Sequence, residues 1–77
     1  MLKITDQELY DLFREATIVK WHGDRYSVVD AYPFYVNLQD IDTGLCTIVY
    51  FDEIRRCDRD TAPILYKLVR VEWEYDE

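Results

Sequence analysis

Glycine, proline, histidine and methionine are all scarce in this 77-residue chain, which has two glycines, two prolines, one histidine and one methionine. So little Gly and Pro excludes a collagen-like or low-complexity chain, and with 49% hydrophobic residues the sequence is expected to fold. The single histidine, His22, has no second imidazole to join it in a metal cluster and no nucleophile close by in sequence. Cysteine is scarce too. Cys46 and Cys57 are too far apart for a CxxC redox pair and too few for a zinc site, so both are expected reduced, Cys46 in the core and Cys57 in a loop. Long apolar runs are missing: Ile48-Val49-Tyr50-Phe51 is much too short for a membrane-spanning helix. The start, Met1-Leu2-Lys3-Ile4-Thr5-Asp6, lacks the apolar core of a signal peptide, so a soluble cytoplasmic protein is expected.

Positive charge is also short. Nine basic residues face sixteen acidic ones, for a formal net charge of -7, which excludes the default nucleic-acid reading because phosphate binding draws its affinity from clustered Lys and Arg. The imbalance grows along the chain: residues 1–39 carry a net -2 and residues 40–77 a net -5. Glu72, Glu74, Asp76 and Glu77 crowd the end, and a surface of that sign attracts basic proteins. Length adds a bound of its own. A chain this short buries only about 60% of its unfolded surface, enough for one small core over residues 1–77 but not for a cleft enzyme with a separate substrate domain.

One helix is announced at the start. Thr5-Asp6-Gln7-Glu8 has the pattern of a capping box, Ile4 and Leu9 fall at the hydrophobic-staple positions, and Asp6 and Glu8 suit the positive helix end. Leu9, Leu12, Phe13 and Ala16 then recur at spacings of three and four, which predicts a helix over about 6–16 with one apolar stripe. After Thr17 the period becomes that of a strand. Strands are expected at about 18–22 and 25–30, joined by a Gly23-Asp24 turn, and at 34–39 and 45–51, joined by Asp40-Ile41-Asp42-Thr43-Gly44. Phe34, Val36 and Leu38 should share one face, and the strand at 45–51, apolar on both faces, should be covered on two sides. Asp52 to Arg56 reads as a short helical turn capped by Asp52, and the period-two pattern of 64–75 reads as a fifth strand.

The fold class is therefore mainly β (α+β): an N-terminal helix followed by a five-stranded antiparallel small barrel or curled sheet. In Gly23-Asp24-Arg25-Tyr26-Ser27-Val28-Val29, Val36 through Gly44, and Val49-Tyr50-Phe51-Asp52-Glu53-Ile54, the chain resembles the hairpins of SH3-like barrels that end in a short helical turn. That resemblance implies a binding module for peptides, proteins or nucleic acids rather than a catalyst.

No Ser-His-Asp set or Gly-rich phosphate loop is present, and no enzymatic activity, metal or cofactor is expected. Asp40 and Asp42 echo part of a calcium loop, but the twelfth position from Asp40, where a closing Glu belongs, is Phe51, so these acids are expected to cap a turn. The leading expectation is a protein-interaction or regulatory module with an acidic face. That face comprises Glu72, Trp73, Glu74, Tyr75, Asp76 and Glu77, with Asp40, Asp42, Asp52 and Glu53 as extensions, and it meets a basic partner such as the nucleic-acid groove of a target. Within it, Trp73 and Tyr75 either complete the core beneath the helix or dock on the partner. The alternatives are a small nucleic-acid-binding barrel using Arg55, Arg56 and Arg59 with Tyr32 and Tyr35, and a structural homodimer joined at the unpaired edge of the last strand or through apolar side chains on the second face of Leu45 to Phe51.

Overall fold

The computed structural model describes residues 2–67 and 71–75. Positions 68–70 of the expected last strand, and Asp76 and Glu77 of the expected acidic face, lie outside them. Helix α1 (Asp6–Glu15) starts at the capping box: the Thr5 hydroxyl accepts from the Glu8 N–H at 3.2 Å, and the Glu8 carboxylate accepts from the Thr5 N–H at 3.2 Å. Two of the orphan donors at the helix start are thus satisfied within one turn. The stripe is buried as its spacing requires, with Leu9 and Phe13 inaccessible, Ala16 buried at the C-cap and Leu12 half-buried.

Five strands follow: β1 (Ile18–Trp21), β2 (Asp24–Ala31), β3 (Tyr35–Asp40), β4 (Cys46–Tyr50) and, after the short helix α2 (Phe51–Arg55), β5 (Ile64–Tyr66). They form one antiparallel sheet in the order β4-β3-β2-β1-β5. The barrel expectation is corrected: no ladder joins β4 to β5 among the described residues, so the sheet is open. A bulge between Val28 and Asp30 interrupts the β2–β3 register, and such bulges sharpen local twist. Helix α1 and helix α2 close over the inner face, where Val19, Val36, Leu38, Val49, Phe51, Ile54 and Leu65 join Leu2, Leu9 and Phe13 in one core. The radius of gyration, 11.5 Å, is what a compact domain of this length should have, about 11–12 Å.

Several local expectations are corrected. The β1–β2 turn is His22-Gly23 rather than Gly23-Asp24; both residues have positive φ (53° and 81°), as a two-residue hairpin with the right twist demands. Helix α2 has Tyr50, not Asp52, at its N-cap: it begins one residue earlier than expected, at Phe51, which leaves Asp52 inside the first turn, paired with Arg55. The segment 45–51 is not covered on both sides. It is the sheet's edge, where only Val49 and Phe51 are buried, and Cys46, assigned to the core, is exposed. Phe34 does not share the burial of Val36 and Leu38; it precedes β3 and is 66% exposed.

The last strand is the largest difference. Among its described residues only Ile64–Tyr66 is strand, and the Val71 N–H donates back to the Leu65 carbonyl at 2.9 Å. The returning segment reaches the beginning of the chain: Lys3 donates its N–H to the Glu74 carbonyl at 2.9 Å, and Leu2 and Tyr75 form an isolated antiparallel bridge. An alternating pattern satisfies a straight strand and a reversed one equally well, because in both the apolar residues face the same core. No helix among the described residues is long and apolar enough to cross a membrane.

Candidate functional site

The reversal at the end of the chain brings Glu72 and Glu74 beside helix α1. Between that helix and residues 71–74 runs a groove of about 400 Å³. Its apolar floor is Ile4, Leu12, Val71 and Trp73, and its walls carry Glu8, Asp11, Glu72 and Glu74 with Lys3 and Lys67. Among the described residues four carboxylates therefore face two ammonium groups, and Lys67 is already paired with Glu15 outside the groove. The Lys67 hydrogen bond holds the Glu15 carboxyl below its ordinary range. Glu8 and Asp11 are held by the helix itself, Glu8 through the capping box and Asp11 by accepting from the Gln7 amide at 3.1 Å.

Trp73 is half-buried against the core, and its indole Nε1 donates to the Pro63 carbonyl at 2.7 Å. Tyr75 is likewise half-buried, with the Arg59 guanidinium 4.8 Å from its ring centroid. Asp40, Asp42, Asp52 and Glu53, the expected extensions of that face, do not line this groove. Asp40 accepts from the N–H groups of Asp42 at 2.8 Å and Thr43 at 3.0 Å, which is the work of a turn cap. Asp52 pairs with Arg55, and Glu53 opens onto a different cleft.

The arginines are spread rather than gathered. Arg55 pairs with both Asp6 and Asp52, tying α2 to the first turn of α1, and the Asp6 hydrogen bond raises its pKa further. Arg59 lies over Tyr75, while Arg56 lines a cleft of about 500 Å³ with Trp21, Tyr26 and Glu53, so that opposite charges cancel there. Tyr32 and Tyr35 stack on each other at 4.7 Å, and Tyr35 meets Tyr50 at 5.8 Å, at the β3–β4 side of the sheet. The charge of Asp30 raises the Tyr32 pKa, an acidic neighbour unsuited to a phosphate-binding platform.

Among the described residues no three His, Cys, Asp or Glu side chains come together as metal ligands. The two cysteines differ in environment: Cys46 is exposed, whereas Cys57 is partly buried, donates to the Glu53 carbonyl at 3.4 Å and has its pKa raised by burial. Cys46 is therefore expected to be alkylated at least about tenfold faster than Cys57 at neutral pH, since the thiolate reacts and access decides the rate. Mass-spectrometric counting of iodoacetamide adducts over time checks this, and equal rates would contradict it.

Glu8 and Asp11 are groove residues that sequence reasoning missed. Their signal, three apart on the helix and flanking Leu12, says only that they share a face; the reversal that sets the chain's end against that face has no sequence mark of its own. Comparison with protein-family models, with curated proteins and with solved structures finds no match.

Proposed function

We propose that this protein is a non-catalytic interaction module whose groove between α1 and residues 71–74 binds a basic, partly apolar segment of another protein. The observation that carries this reading is the acidic rim over an apolar floor: Glu8, Asp11, Glu72 and Glu74 stand around Ile4, Leu12, Val71 and Trp73. Opposite charge steers the encounter and fixes the register, and the apolar floor supplies contact area once water leaves. Lys or Arg side chains have the matching shape, an apolar stem with a charged head. A nucleic-acid-binding surface on a target protein has that chemistry. The likeness to SH3-like domains belongs to the same reading, as hairpins that end in a helical turn and serve recognition.

The test is titration of the isotope-labelled protein with a Lys/Arg-rich peptide containing leucine or valine, at low and high salt. Amide shifts are expected at Glu8, Asp11, Leu12, Val71 and Glu72, with affinity falling steeply as salt rises. The double variant Glu72→Lys, Glu74→Lys changes two exposed side chains and should weaken binding by at least about tenfold without altering the melting temperature. Binding indifferent to both salt and the double variant would reject the groove.

A further inference from the structure

We propose that the edge of β4 pairs with the β4 edge of a second copy of this chain, in an antiparallel two-fold arrangement with Ile48 on the axis. The argument begins with backbone hydrogen bonds. Asp40 donates its N–H to the Leu45 carbonyl and Phe51 donates to the Phe34 carbonyl, so the bonded pairs of the β3–β4 ladder alternate as 40–45, 38–47, 36–49 and 34–51. The intervening residues Cys46, Ile48 and Tyr50 thus turn their backbone groups away from β3. Among the described residues no backbone partner meets them on that side apart from the helix α2 bond made by the Tyr50 carbonyl. The other edge of the sheet is different: β5 has three residues, and the returning chain covers it through the Val71 to Leu65 bond.

An open edge is normally blunted by a lysine, a proline or a bulge. Strand β4 has none of these, and Leu45 through Phe51 contains no Asp, Glu, Lys or Arg. In a chain of net charge -7 the edge strand itself sets no like charge against a second copy, and Glu53 and Arg56, which line the cleft beside Thr47, Ile48 and Val49, are of opposite sign. The side chains are apolar and unburied: Leu45 is 71% exposed, Ile48 55% and Tyr50 57%, beside Phe34 at 66%.

The register follows from the free groups. With Ile48 opposite Ile48, the two Ile48 residues exchange both their bonds, and each Tyr50 N–H reaches the Cys46 carbonyl of the other copy. That makes four backbone bonds, in a surface complementary to itself as a two-fold contact must be. Because the copies repel elsewhere, added salt strengthens this association, opposite to its effect at the acidic groove.

The experiment is sedimentation equilibrium of the full chain from micromolar to millimolar concentration, with and without salt, for the wild type and for Ile48→Lys. Dimers are expected in the wild type, strengthened by salt, and Ile48→Lys, at an exposed position, should weaken them at least about tenfold by placing two cations on the axis. A second variant tests the register independently of that charge. In a Cys46→Ser, Cys57→Ser background, Ile48→Cys places two Cα atoms about 5.5 Å apart, within disulfide range, and should cross-link on mild oxidation. Wild-type Cys46 lies about 14 Å from its copy in this register and should not. A monomer at millimolar concentration, a dimer indifferent to Ile48→Lys, or a Cys46–Cys46 cross-link would each overturn the proposal. So would protection of the β4 amides only when an unrelated extended peptide is added, which would assign the edge to another chain.

Discussion

A Phe13→Ala variant is expected to lose about 3–5 kcal/mol of stability, the cost of emptying a fully buried aromatic site. Phe13 is inaccessible, and its ring stacks on that of Phe51 at 5.8 Å and 11°. This contact joins the helix that opens the chain to the residue that ends the β3–β4 hairpin and begins α2. Leu9, Leu65 and Ile54 of the same core are themselves buried from solvent. A domain of this length has on the order of 4–12 kcal/mol in total, so the variant should be largely unfolded at body temperature or melt tens of degrees lower. Urea denaturation followed by circular dichroism measures it. Phe13→Leu, which keeps most of the volume, should cost only about 1–2 kcal/mol. If Phe13→Ala proves as mild as that, the core does not pass through the Phe13–Phe51 stack.

Trp73→Ala is expected to cost roughly 2–4 kcal/mol, less than a full core deletion because the ring is only half-buried. Two losses combine. The apolar contact with the core goes, and the Pro63 carbonyl loses its 2.7 Å donor. Trp73→Phe separates them, keeping an aromatic ring while removing the N–H, and should cost about 1–2 kcal/mol. Because Lys3 donates to the Glu74 carbonyl and Leu2 bridges Tyr75, loosening Trp73 should also free the Lys3 amide. Hydrogen exchange of Lys3 is thus expected to accelerate in Trp73→Ala far more than exchange of β2 or β3. The same variant removes part of the groove's floor, so affinity for a basic peptide should fall with it. Unchanged Lys3 exchange would mean that the two chain ends are held together by something other than Trp73.

Helix α1 was legible because its signals are local. The capping box, the staple and the stripe at spacings of three and four all lie within a dozen consecutive residues, and the structure realises them with Leu9 and Phe13 at the centre of the core. The first four strands were legible for the same reason, each being a short β-branched or aromatic run between turns, with boundaries correct to within a residue or two. The glycines of both hairpins, Gly23 and Gly44, adopt the positive φ that made them turn signals.

The errors share another cause. Whether Leu45 through Phe51 is a central strand or an edge depends on which strand lies beyond it, and alternation in one segment says nothing about its neighbours. Apolar residues on both faces were read as a strand covered on two sides; tertiary packing left Ile48 and Tyr50 in solvent. Leu65, Val71, Trp73 and Tyr75 all pack against the core, as the alternation requires whether or not the strand continues. The position of residues 71–75 is held by contacts beyond their own segment: Val71 to Leu65, Trp73 to Pro63, and Glu74 to Lys3 at the opposite end of the chain.

Charge divides in the same way. The sequence by itself determined the net charge, the late weighting of acids and the helix that holds Glu8 and Asp11, all properties of composition or of neighbours along the chain. Only the tertiary structure decided which acids lie together. It set Glu72 and Glu74 against Glu8 and Asp11, spent Asp40 on a turn and Asp52 on Arg55, and dispersed the arginines between Asp6, the Trp21 cleft and Tyr75. Local hydrogen bonds and apolar periodicity are written in consecutive residues, whereas a groove or an edge exists only between segments that the closure of the core has brought together.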